Sequence, residues 1–194
     1  GNVSGATEID LNDFNNQHYT GNFEATQVEA NDFLTRFTTF GGHLFGKVNL
    51  NGDFSASGWE PEPLIQSLSM DGLAVFNEAK IVNLNLLTEL SKQLNFKMPS
   101  EETLKDAATK FTVKDGRVQF EGMKFTSQLG DWNLLGSVGF DGSLDYIGEI
   151  LLSEQVTGHI VSQPGIVSGF AALLKESGSG RVRVPFRLGG SYSS

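Results

Sequence analysis

Three histidines, a scatter of carboxylates, one Ser/Gly run and one row of arginines are the residues of this chain whose types could do chemistry. His18, His43 and His159 stand far apart. None sits in the H-E-x-x-H or H-x-x-E-H spacing that converges side chains on a metal or a proton. They read as surface or turn histidines. Asp10, Asp13, Glu60, Glu62, Glu101 and Glu102 include enough acids for a glycosidase pair. They fall, however, at expected turns and helix starts, where carboxylates cap backbone or meet water. The DLNDFNN stretch from Asp10 begins like a calcium loop and then fails, because Phe14 takes a ligand position and the glycine is missing. Ser177-Gly-Ser-Gly180 lacks the strand before and the helix after that a nucleophile elbow needs. It also lacks the Gly-Lys-Ser/Thr of a phosphate cradle. The expectation is a non-enzymatic chain with no catalytic residue, no metal and no cofactor.

Arg181, Arg183 and Arg187 alternate with Val182, Val184, Phe186 and Leu188. On a strand, that spacing puts the guanidiniums on one face and the apolar residues on the other. Such a row is able to meet anionic groups or a partner's acids, or to discourage sheet-to-sheet pairing. Pro185 has no N–H to give a ladder, which predicts an edge strand.

Around these residues the chain reads as strands. The clearest run is Thr109 to Ser153, where Val118 and Phe120, then Trp132, Leu134, Val138 and Phe140, then Leu144, Tyr146, Ile150 and Leu152 recur with strand period. Asp115-Gly116 and Asp141-Gly142 accept the positive φ of tight hairpin turns, so the neighbours should be antiparallel. A bulge at Glu121-Gly122 accounts for the shift of the apolar positions to Met123 and Phe125. Further strands are expected over Ala6–Phe14, Tyr19–Val28 with Phe23 and Ala25 inward, and 46–58. Another follows Asp71-Gly72, and a last one runs through RVRVPFRL. Helices are expected from an Asn31 cap with Phe33, Leu34 and Phe37, behind Pro63, over Leu84–Leu94, from Ser100 with Glu101 and Glu102, and over Pro164–Lys175.

Residues 1–194 are read as one domain, long enough for a real core. A net charge of -9 argues against a nucleic-acid surface, and zero cysteines exclude disulfides and thiolate metal sites. No apolar run approaches a membrane span. Without an initiator Met or leader, the chain reads as a fragment of something longer. What remains is apolar surface: a one-sided sheet that its helices either cover or leave as a trough suited to acyl chains. The candidate lining residues are Phe54, Phe120, Phe125, Trp132, Leu134, Phe140 and Tyr146.

The stretch from Leu44 to Leu90 (LFGKVNLNGDFSASGWEPEPLIQSLSMDGLAVFNEAKIVNLNLLTEL) resembles the AsmA family of bacterial envelope proteins. The family's strand with a Gly-rich turn corresponds to Asp53–Gly58, and its short helix to Leu64 through Asp71-Gly72. Its following strand matches Ala74–Asn83, and its amphipathic helix Leu84–Leu94. TVKDGRVQFEGMKF from Thr112, the Leu134–Leu152 strands and the terminal VRVPFRLGGSYSS resemble the family's closing segments. The likeness covers Phe40 to Ser194. It implies an AsmA-like C-terminal region of a periplasmic protein held in the inner membrane and linked to outer-membrane biogenesis. The family is similar in design to lipid-transfer proteins that carry phospholipid or other acyl lipid along an apolar groove, beside other envelope proteins. The fold class expected is α+β: a curved, mostly antiparallel sheet with short helices packed on one face. The alternative is an assembly domain that binds protein through a sheet edge.

Overall fold

The computed structural model describes residues 1–13, 16–37, 42, 44–82, 101–162 and 174–191, with side chains omitted at 33, 34, 36, 37, 78 and 106. Its strands are β1 (Asn2–Asp10), β2 (His18–Glu29), β3 (Leu44–Ser57), β4 (Ser69–Val82), β5 (Glu101–Lys114), β6 (Arg117–Thr126), β7 (Gly130–Gly139), β8 (Ser143–Leu152) and β9 (Arg183–Ser191). Each pairs antiparallel with its neighbours in sequence, so the sheet is a simple meander in the order β1 to β9. Helices α1 (Ala30–Phe37), α2 (Pro61–Ser67) and α3 (Glu154–Ser162) are short insertions between strands. The fold is sheet-dominated with a few short helices.

Turn chemistry explains the closures. Asp115 and Gly116 have φ of 51° and 68°, the double positive φ of a two-residue hairpin turn joining β5 to β6. Gly142, at φ 83°, closes the three-residue connection from β7 to β8, where its N–H donates to the Gly139 carbonyl. The expected bulge is present. Phe120 pairs with Gly136 and Met123 with Leu134, so Glu121 and Gly122 together oppose Leu135 alone. Gly122 has φ 75°, which an L side chain adopts only with strain.

Several expectations need correction. The first strand spans Asn2–Asp10, not Ala6–Phe14, and every one of its residues is exposed. Glu101 and Glu102 open β5 rather than a helix. Here tertiary pairing overrides local propensity. Leu104 and Ala107 both face inward because the β5–β6 register shifts between Lys105 and Ala108. Those bulged apolar positions mimic the i, i+3 spacing of a helix. Asp71-Gly72 lies inside β4, opposite Asp53 and Gly52, rather than ahead of the strand. α1 begins one residue before Asn31, and Asn31 Oδ1 instead accepts the Gly42 N–H at 2.7 Å. α3 has no counterpart in the sequence reading. Ser153 precedes it, Glu154 sits in its first turn, and Val156 and Ile160 are buried on one side. The Leu84–Leu94 helix and residues 163–173 of the Pro164–Lys175 helix lie outside the described residues. Lys175 itself forms a β-bridge with Val182.

The core follows from the register. One cluster packs Val156 and Ile160 of α3 onto Ala79, Leu104, Ala107, Phe125, Trp132, Ile150, Leu152 and Val184. A second joins Val48, Ala74, Phe111 and Val113 to Ala30, at the start of α1. Both lie on the same face of the sheet.

Candidate functional site: an apolar strip across the sheet

Residues paired across an antiparallel ladder share a face, so the register of eight strand pairs can be read as rows. One row runs Thr7, Gly21, Phe54, Met70, Val113, Val118, Val138, Leu144, Gly190. The next runs Gly5, Phe23, Gly52, Gly72, Phe111, Phe120, Gly136, Tyr146, Leu188. Neither row carries a charged side chain. Together they form an uncharged strip crossing all nine strands, about 38 Å long at the usual strand spacing, which is buried at its middle, where Phe111 and Val113 belong to the core.

The strip has a recurring device, which extends to the row beside it. Gly21, Gly72, Gly136 and Gly148 each stand directly opposite an aromatic residue: Phe54, Phe111, Tyr146 and Phe186. A Cβ built at any of these glycines would lie within 2.9 Å of that ring. Each ring therefore lies down over its cross-strand glycine, and the missing side chain makes room for it. Phe120 and Tyr146 stack at 6.5 Å with ring planes 19° apart, which continues the floor from β6 to β8.

Burial sorts the residues expected to line a trough. Phe54, Phe120, Leu134, Phe140 and Tyr146 are half-buried. Phe125 and Trp132 are only 6% and 5% exposed and belong to the core beneath α3. They stack on each other at 5.5 Å, and Phe186 meets Trp132 edge-on. Their place is structural. Among the described residues, Ala30 and Leu68 (at the ends of α1 and α2) are the helix-flanking positions packed against the cluster that includes Phe111 and Phe120.

The arginine row lies on the opposite face, and each guanidinium meets an acid of the same chain. Arg181 donates to the carbonyls of Leu151 and Leu152 at 2.6 and 2.7 Å and to Asp131 at 2.8 Å. That contact holds the Asp131 carboxyl below its usual range. Arg183 bridges Glu149 and Glu176, and Arg187 reaches Asp145 at 3.1 Å. Hydrogen bonds from Ser179 and Arg183 pull the Glu176 carboxyl down, and the Glu149 contact pushes Arg183 up. Asp141 is lowered by its bonds to Ser143. The Arg183–Glu149 and Arg187–Asp145 pairs tie β9 to β8, whereas the bonds from Ser143 and Ser179 are local.

Sequence reading missed the burial of Glu102, which is 3% exposed. Its Oε2 accepts the Gln128 N–H at 3.2 Å, and Ser127 donates to it. Ser127 Oγ in turn accepts from Trp132 Nε1 at 2.9 Å. Burial pushes the Glu102 carboxyl above its ordinary range, outweighing those bonds. His18 is exposed, with Nδ1 2.8 Å from Ser57 Oγ. Among the described residues no group of three or more His, Asp or Glu is placed to hold a metal ion. None of their helices is long and apolar enough to cross a membrane. No protein-family model, curated protein or solved structure matches this chain.

Proposed function

We propose that this chain is a non-enzymatic lipid-binding module of outer-membrane biogenesis, working in the periplasm as part of a longer protein anchored in the inner membrane. The observation that carries the lipid reading is the uncharged aromatic–glycine strip running unbroken across nine strands. The order of AsmA-like motifs supports the setting. An acyl chain laid on the half-buried part of the strip, from Phe120 through Tyr146 to Leu188, would exchange water for ring faces, worth about 0.8 kcal/mol per buried methylene before ordering costs. No charge on the two rows would compete for it, so the head group would stay in water.

Native mass spectrometry of the purified chain, with lipid extraction, tests this. Phospholipid is expected to co-purify, and to be lost in Phe120→Glu and in Leu188→Glu while the far-ultraviolet circular dichroism stays that of a sheet. Wild-type chain that carries no lipid, and takes none from phospholipid vesicles, would overturn the proposal. A second reading, assembly through a sheet edge, is favoured by one specific feature: β1 is exposed along its whole length.

A further inference from the structure

The two edges of the sheet are unlike. β9 is blunted: Pro185 offers no N–H, Val182 just before it is bridged to Lys175, and Gly190 sits at φ 123°. Its Arg183 and Arg187 are tied down by acids of the same chain. β1 has none of these protections. It runs nine residues in unbroken register with β2, from Asn2 opposite Thr26 to Asp10 opposite His18, and holds no Pro, Lys, Arg or bulge. Among the described residues β2 is its one ladder partner. Its apolar side chains on the strip face, Val3 and Ile9, are 75% and 54% exposed. Its only charged side chains are Glu8 and Asp10 at one end, and long edges with so little blunting pair.

We propose that β1 pairs antiparallel with β1 of a second copy of this chain, about a two-fold axis through Ala6. The sequence of the strand is complementary to itself in that register and uses all nine residues. Val3 then faces the partner's Ile9 twice over, across the axis, and Gly5 faces the partner's Thr7. Glu8 faces the partner's Ser4, and Asp10 the partner's Asn2, so each carboxylate meets a neutral polar group. Centring the pair on Glu8 or on Ile9 instead would set Glu8 against itself or against Asp10, and like charges directly opposed are destabilising. Head-to-tail pairing with β9 would meet Pro185. A two-fold axis normal to the sheet keeps both apolar faces on one side, so the two strips join end to end. This is a closed, isologous dimer, and it holds whatever the strip binds.

Sedimentation equilibrium is expected to give twice the 21.0 kDa chain mass. Ala6→Lys sets two ammonium groups face to face on the axis and is expected to give the monomer with an unchanged circular dichroism spectrum. The chain has no cysteine, so a single introduced thiol reports its own symmetry mate. Directly opposed residues have α-carbons about 4.5–5.5 Å apart, within disulfide reach. Ala6→Cys should therefore cross-link on mild oxidation. Ser4→Cys, about 14 Å from its mate in this register, should not. A monomeric wild type, or cross-linking at Ser4→Cys as ready as at Ala6→Cys, overturns the proposal.

Discussion

The ring of Phe111 on β5 lies over Gly72, its partner on β4, so closely that a Cβ at Gly72 would come within 2.8 Å of Cζ. The same Cβ would stand 2.4 Å from the Asn51 carbonyl oxygen on the other side. Neither neighbour is free to give way: Phe111 is buried and Asn51 belongs to the ladder. Gly72→Ala is expected to cost about 1–3 kcal/mol through overpacking. Urea denaturation of the variant measures it.

Gly122 tests the other reason for a glycine. Space is open there, since a methyl group at this position would meet nothing nearer than Leu135 Cδ2 at 3.9 Å, but φ is 75°. Gly122→Ala should cost about 1–2 kcal/mol from backbone strain alone. Deleting Glu121 and Gly122 together should cost far more. It changes the bulge into a slipped register that turns either Phe120 or Phe125 to the opposite face of the sheet.

Glu102 and Asp131 should give the stability curve opposite slopes. The Glu102 carboxyl is held above its ordinary range by burial. Between its ordinary and its raised pKa the folded chain binds more protons than the unfolded one, so stability falls as pH rises through that window. Glu102→Gln is expected to raise the melting temperature at neutral pH, with the gain vanishing below about pH 4, the ordinary Glu range. Asp131 is lowered, chiefly by its hydrogen bond from Arg181. Its contribution is present above the ordinary Asp range and is lost as pH falls through the lowered value. Thermal melts of Glu102→Gln and Asp131→Asn across that span check both signs.

Arg181 and Arg187 look alike in sequence and differ in consequence. Arg181 forks onto two main-chain carbonyls and Asp131, with its side chain 20% exposed, whereas Arg187 is 73% exposed and touches Asp145. Arg181→Lys loses the fork and should cost about 1–3 kcal/mol. Arg187→Ala should stay within about 0.5 kcal/mol. Chemical denaturation of the pair decides it.

Strand existence, the two Asp-Gly turns and the Glu121-Gly122 bulge are local. Side-chain alternation and positive-φ tolerance are properties of a few consecutive residues, so the Thr109–Ser153 meander and the edge position of Pro185 were legible from the chain alone. That one face would be apolar was legible for the same reason.

Partner choice and burial are not local. Which ring lies over which glycine depends on register between strands up to 39 residues apart, as Phe111 and Gly72 are. Glu102 reads as a solvated helix start until the β6–β7 turn closes over it. Leu104 and Ala107 keep helical spacing in sequence because a bulge, set by pairing with β6, rotates the strand between them. Trp132 and Phe120 share the same alternation, and α3 packing over the first makes it core while the second stays on the strip. Away from that bulge, the amino-acid pattern determined which side chains share a face. Only the packing of the whole sheet decided which of them are covered, because burial is a property of what lies across the surface rather than along the chain.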